Sequence, residues 1–469
     1  MLNYFPSYFS RRAIVCYIAA LVTVSLLYAN YAMYWYWWVF GIVEVVGFFA
    51  GSHYLTTHWA QKSSKEFQKS LFGLSLALRI FAVFFLYWFF DTMTGQPFMF
   101  AAADSIGYHE EASWMAECFH GGYLDAYLSY IQGQSGVSDV GYPFWLGLQY
   151  IVTGNSIIIA RIIKAVLSAW MSVLVYQLAM RNFGESTGRM AGIFCALMPN
   201  LIIYCGMHLK ETEMVFLTVA FLERTDYLMR QPKFKPQHFI LPLLLGGSLF
   251  LFRTVLGVAA MGAWLVSVLF TSKEIIKTRN KVLLSAMLGV VLLFSLGGKI
   301  FVESQRYWER RNENQELGLY QKTARGNQMA KYAGAAVFAP MIFTIPFPTM
   351  VETEGQETFR MQHGGNFDKN ITSFFTILAL FLLVWRKQWR SHTLIGTFTI
   401  AYLAILTLSA FAQSERFHIP SLPIELIFAA CGVSMMTNRH KKYFNAWLVL
   451  MFVADVAWAW FKLKGRGMA

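Results

Sequence analysis

Runs of about 18 or more apolar residues recur along the whole chain, and nothing else in the sequence limits its fold so strongly. A backbone in hydrocarbon must satisfy its own N–H and C=O groups, so runs of this length call for membrane-spanning α-helices. Of the 469 residues, 56% are hydrophobic and 14% charged, where a soluble domain carries about a quarter charged residues. The hydrophobic pattern predicts an all-α polytopic membrane protein of about thirteen spans: 12–30, 32–51, 71–90, 156–180, 187–207, 209–229, 238–252, 254–271, 281–298, 371–386, 392–411, 418–437 and 443–461. The first run, AIVCYIAALVTVSLLYA, follows Arg11 and Arg12 and is succeeded directly by a second span, so it reads as a retained span, not a cleaved signal. Cys16, Cys118, Cys195, Cys205 and Cys431 are scattered, without a CxxC, and read as ordinary small apolar residues.

The formal net charge of +13 would suggest nucleic acid in a soluble protein, but its distribution here excludes that partner. With the N-terminus cytoplasmic, each inside loop is basic: Arg11/Arg12, Lys62/Lys65/Lys69, Arg181/Arg189, Arg230/Lys233/Lys235, Lys273/Lys277/Arg279/Lys281, Arg386/Lys387/Arg390 and Arg439/Lys441/Lys442. Only the tail KLKGRG conflicts, because an odd number of spans leaves it outside. Two long segments also fall outside. Residues 91–155 contain no Lys or Arg but seven acids: Asp91, Asp104, Glu110, Glu111, Glu117, Asp125 and Asp139. Residues 299–370 are charge-mixed, with Arg306, Arg310 and Arg311 in one cluster. Loops this long in a compact bundle are usually functional, so the outer face is where chemistry is expected.

Within AAADSIGYHEEASWMAECFHGG (101–122), Tyr108, Ala112, Met115 and Phe119 recur at helical spacing, with Glu110, Ser113 and Glu117 opposite. That pattern predicts an amphipathic helix lying in the membrane interface. Asp104 stands just before it. Spacing alone leaves two roles open, a helix N-cap or a catalytic carboxylate beside Tyr108 and His109. Downstream come a GYP turn at Gly141, Tyr142 and Pro143 that opens a short helix, TGN and a long span, Pro199 late in the next span, Lys210 and Glu211 in HLKETE, and ERFHIPSLP from Glu415 to Pro423.

In order and sidedness this arrangement resembles the GT-C superfamily of integral-membrane glycosyltransferases, especially its bacterial protein-mannosyltransferase-like (family 39-like) branch, over roughly residues 70–437. The resemblance implies a GT-C-like bundle with two extracytoplasmic loop regions containing interfacial helices. It implies transfer of a hexosyl or pentosyl unit from a polyprenyl-phosphate-linked donor to a lipid, glycan or protein acceptor, with inversion. It also implies a bacterial-type inner membrane with the site on the periplasmic or extracellular side. By the same analogy Asp104 is the general base that takes the acceptor hydroxyl's proton, with His109 and Glu111 as catalytic candidates beside it.

The absence of Lys and Arg from 91–155 fits a base, since a neighbouring cation would weaken it. The leaving phosphate needs cations, and forked Arg donors suit it. Arg416, Arg253, Lys210 and His418 are the candidates, with Tyr108, Glu110, Glu211 and Tyr142 as further site residues. Arg253 interrupts the apolar run FILPLLLGGSLFLFRTVLGVAAMGAWLVSVLFT, where a charge is costly. It reads as an outer-turn residue that either serves the site or snorkels. Arg416 could instead pair with Glu415, and Lys210 and Glu211 could form a solvated turn. Asp104, His109 and Glu111 could ligate a divalent metal, but no spacing is diagnostic and no cofactor is expected.

The chain divides into two N-terminal spans and an inside loop (1–70), a core bearing the acidic outer loop 91–155 (71–298), a second outer segment (299–370) and C-terminal spans (371–469). In the second outer segment Arg306/Arg310 and Glu309/Glu313 share helical faces. QHGGNFDKN (362–370) has turn residues suited to a mobile lid. Two other functions remain open. An O-antigen polymerase or ligase would favour an arginine-rich late loop. A lipid or sugar flippase would show inverted repeats and mid-membrane charges, and no convincing repeat is found.

Overall fold

The computed structural model describes residues 3–134, 136–231, 237–271, 280, 298–309, 339–408, 412 and 414–468, which are helical and contain no strand. The chain opens with α1 (Ser7–Leu27), α2 (Trp35–His58) and α3 (Ser64–Thr94). A capping box starts α3: the Ser63 hydroxyl accepts from Glu66 N–H, and the Glu66 carboxylate reaches back to Ser63 N–H. The acidic segment folds as α4 (Ala103–His120), α5 (Leu124–Gly133) and α6 (Gly141–Thr153), none of them a candidate span. The GYP turn opens α6 as expected, and Gly154 at φ +64° closes it in a conformation that costs glycine nothing.

Next come α7 (Ile157–Phe183), α8 (Glu185–Leu197) and α9 (Pro199–Gly206), the last two bent by 43° at the break between them and together apolar enough for one span. Pro199 causes the break. It has no N–H to give the Cys195 carbonyl, and apolar surroundings leave that oxygen costly unless something else donates. Arg79 of α3 supplies the donors, reaching the Cys195 carbonyl at 3.2 Å and the Ala196 carbonyl at 3.1 Å. Its other bonds go to Ser75 and Ser168, so a fully buried guanidinium is satisfied inside the bundle.

The remaining helices are α10 (Glu211–Met229), α11 (Gln237–Phe252), α12 (Thr254–Phe270), α13 (Lys299–Glu309), α14 (Glu357–Met361), α15 (His363–Trp385), α16 (Thr393–Thr407), α17 (Glu415–His418), α18 (Leu422–Met435) and α19 (Lys441–Lys464). Each expected span except 281–298 coincides with a described helix; that one, with Arg310, Arg311 and Glu313, lies outside the described residues apart from Gly298. Six described helices are long and apolar enough to cross a membrane, or seven with the bent pair, and α11, α12, α16 and α18 are shorter apolar helices. The chain is therefore a multi-pass membrane protein, though length and apolarity alone do not reach thirteen spans.

One end of the bundle gathers the outer segments. Glu352 N–H bonds to the Tyr31 carbonyl after α1, Thr358 to the Phe100 carbonyl, and Lys462 of α19 to Gln356. The KLKGRG tail thus lies at this end. The opposite end is tied by Arg181, which pairs with Glu223 at 2.7 Å and Asp226 at 3.0 Å, and by Arg189 bonding to the Trp59 and Lys62 carbonyls.

The expected lid at 362–370 is instead the buried start of α15. Its glycines serve close packing. A Cβ on Gly364 would lie 2.6 Å from Glu44 Oε2 and 2.7 Å from the Gly41 carbonyl, and one on Gly365 would lie 2.1 Å from Asn200 Oδ1. Glycine here removes side chain so that α2 and α9 can approach, a use that reads like a turn in the sequence.

Candidate active site

Three turns converge at the end that carries the outer segments. One is the start of α4, with Asp104. Another is the α9–α10 turn, with Lys210 and Glu211. The third is α17, with Arg416. Asp104 lies in the first turn of α4, behind Ala102 at the N-cap, and makes no capping bond. The N-cap role is therefore not what it does: its exposed carboxylate accepts from Nη1 of Arg416. Nε of the same guanidinium donates to the buried Glu211 carboxylate, so one arginine joins two acids from distant parts of the chain. Arg416 pairs with these acids and not with Glu415.

The absence of Lys and Arg from 91–155 does not leave Asp104 without a cation: Arg416 is supplied from the other end of the chain. Burial works against the charge, but the carboxylate pair, Glu211 above all, holds the guanidinium's proton more firmly than usual.

Arg253 is the N-cap residue of α12, in the α11–α12 turn expected for it. Nη2 lies 3.9 Å from Glu211 Oε1, and the guanidinium stands 4.1 Å over the Phe417 ring. Its Nη1 is buried without a partner among the described residues, as is Oε2 of Glu211. Lys210 is buried in the turn before α10, donates to the Phe252 carbonyl at 3.0 Å and pairs with Asp139. It forms no solvated turn. The Tyr108 hydroxyl is 3.4 Å from Asp139 Oδ1, and burial with the nearby Glu211 carboxylate pushes its phenol up to about 12. The Tyr108 and Tyr142 rings meet edge to face at 5.1 Å.

Other expected site residues point elsewhere. His109 Nδ1 and Tyr150 Oη are 2.7 Å apart, and the hydroxyl also meets His208 at 3.2 Å; half-burial lowers the His109 imidazole's affinity for a proton. Glu111 accepts from Tyr127 at 3.3 Å, and burial raises its carboxyl. Glu110 is exposed. Five positions along a helix turn a side chain by about 140° from its starting direction, which is why Asp104 and His109 do not meet. Asp104, His109 and Glu111 therefore do not converge as metal ligands, and no group of three such side chains among the described residues could hold an ion. His418 is buried, accepts from Lys369 at 2.9 Å and donates to the Ala412 carbonyl at 2.8 Å. It braces the turn that carries Arg416 and does not join the acid–arginine cluster.

Sequence reasoning passed over Asp139, Lys164, Arg161 and Glu303. Lys164 lies behind Tyr142, 3.7 Å from Glu213 and bonded to the Met207 carbonyl at 2.8 Å. Arg161, one turn earlier on α7, is fully buried with Nε and Nη1 unpartnered among the described residues. Both sit inside the apolar run IIIARIIKAVLSAW, and charge within a span was the available signal. Glu303 of α13 accepts from Val137 N–H at 2.7 Å and from Thr254 at 2.9 Å, joining the second outer segment to the first beside Arg253. No local pattern announces that contact.

Three cations and three carboxylates thus meet at this end of the bundle, with Nη1 of Arg253 unpartnered among the described residues. No curated protein and no solved structure matches the chain. Residues 140–297 match the family model described as dolichyl-phosphate-mannose-protein mannosyltransferase, and this match, over 158 of the 469 residues, supports a membrane glycosyltransferase of the GT-C superfamily.

Proposed function

We propose that the protein transfers a sugar from a polyprenyl-phosphate-linked donor to a lipid, glycan or protein hydroxyl, with Asp104 as general base and inversion at the anomeric carbon. The observation that carries this reading is the Arg416 bridge from exposed Asp104 to buried Glu211, with the unpartnered Nη1 of Arg253 alongside. The donor's phosphodiester, a monoanion that gains a second charge as the sugar leaves, competes with Asp104 for Arg416 and takes up the spare donor of Arg253. Planar, multiply donating guanidinium groups suit that ligand. Drawing Arg416 toward phosphate relieves Asp104 of its cation, leaving the carboxylate free to accept the acceptor's proton as the sugar–phosphate bond breaks. Glu211 stays buried and keeps both arginines oriented. The site faces the periplasmic or extracellular side of a bacterial-type inner membrane.

The test is donor binding measured apart from turnover. Asp104→Asn is expected to retain undecaprenyl phosphate in native mass spectrometry and to lose transfer by about 100-fold or more, the scale of a lost proton acceptor. Arg253→Gln is expected to lose the lipid. Equal lipid retention by wild type and Arg253→Gln, or normal transfer by Asp104→Asn, would remove the reading.

A further inference from the structure

At the end of the bundle opposite Asp104, α1 and α19 leave an open groove of about 520 Å³ between them. Val15, Cys16, Leu448, Val449 and Phe452 line it, and Arg11 and Arg12 stand at its mouth. Val15 and Val449 are each about two-thirds exposed, so the groove faces whatever surrounds the bundle. No Asp or Glu lines it. Arg12 donates to Asn445 Oδ1 at 2.8 Å and lies 4.5 Å over the Tyr8 ring, with Lys441 5.1 Å from the same ring. These contacts fix two cations beside the mouth without neutralising either. Arg11 is exposed and has no ion pair among the described residues.

We infer that this groove binds one anionic phospholipid, its phosphodiester between Arg11 and Arg12 and one acyl chain lying along Val15, Leu448, Val449 and Phe452. From Asn445 to Phe452 the helix rises roughly 10 Å, about two-thirds of the hydrocarbon depth of one leaflet. A groove of that length takes the upper part of an acyl chain while the headgroup stays at the surface. Uncompensated arginines beside an apolar slot select a phosphate that carries net charge over a zwitterionic headgroup. The site lies in the leaflet away from Asp104 and is independent of the transferase reading.

The experiment is native mass spectrometry of the full-length protein with phosphatidylglycerol or phosphatidylcholine of matched chains. Wild type is expected to retain one phosphatidylglycerol with a preference of roughly 30-fold, from two cations at about 1 kcal/mol each. Arg11→Ala with Arg12→Ala is expected to bring the preference near unity. Val449→Trp fills the slot while keeping both arginines, and is expected to lose the retained lipid. Arg11, Arg12 and Val449 are all exposed, so both variants should fold. Equal retention of the two lipids by wild type overturns the site. Selectivity that survives either variant does so too, since binding would then be diffuse attraction at the basic surface.

Discussion

Arg416 and Asp104 form an ion pair, but the two partners differ in what their loss leaves behind. Asp104 is more than half exposed, and solvent screening holds such a pair to about 0–1 kcal/mol. Glu211 on the other side of the guanidinium is fully buried, and a buried charge stripped of its partner costs about 3–5 kcal/mol. Asp104→Asn is therefore expected to leave the thermal midpoint nearly unchanged while lowering transfer by about 100-fold or more. Arg416→Ala is expected to lower that midpoint sharply, and Arg416→Ala with Glu211→Gln to recover most of the loss; scanning fluorimetry of the three variants checks this. The residue types at this cluster were legible: Asp104, Lys210, Glu211, Arg253 and Arg416 all stood out as charges at the edges of apolar runs. Their partners were not. Asp104 and Arg416 are separated by 312 positions, and no local rule pairs residues so far apart.

At the scale of elements, Pro199 and Arg79 form a compensating pair across two helices. Arg79→Met leaves the Cys195 and Ala196 carbonyls without their donors in an apolar interior, at about 1–3 kcal/mol for each orphaned group. It is expected to lower the thermal midpoint, and Pro199→Ala, which restores an N–H for Cys195, is expected to recover part of that loss in the double variant. The same scale explains why 362–370 read as a lid. Two adjacent glycines signal a turn when only the chain's own neighbours are considered. In the bundle they mark where α15 closes on Glu44 and Asn200. The expected span 209–229 is a helix, α10, but it is not among the helices long and apolar enough to cross a membrane, and it carries acids at both ends. Glu211 and Glu213 meet Arg416 and Lys164 at one end, and Glu223 and Asp226 meet Arg181 at the other.

Across the whole molecule, the basic loops among the described residues and the acidic segment lie at opposite ends, which is the asymmetry that positive-inside sorting produces. With the acidic end facing outward, a cysteine at exposed Glu110 is expected to react with an impermeant maleimide added to intact cells, and one at exposed Lys442 only after permeabilisation. The reverse pattern would put the acidic site in the cytoplasm and remove the periplasmic reading. By itself the sequence determined the helical class, the positions of the described helices and the distribution of charge along the chain. These depend on local apolarity and on charge near each span, properties that any window of the chain carries. Only the tertiary structure decided that Asp104 meets Arg416, that His109 and Glu111 turn toward Tyr150 and Tyr127, and that Gly364 and Gly365 are packing positions. Such outcomes depend on which helices become neighbours and at what rotation, and that is settled by the packing of the whole bundle at once.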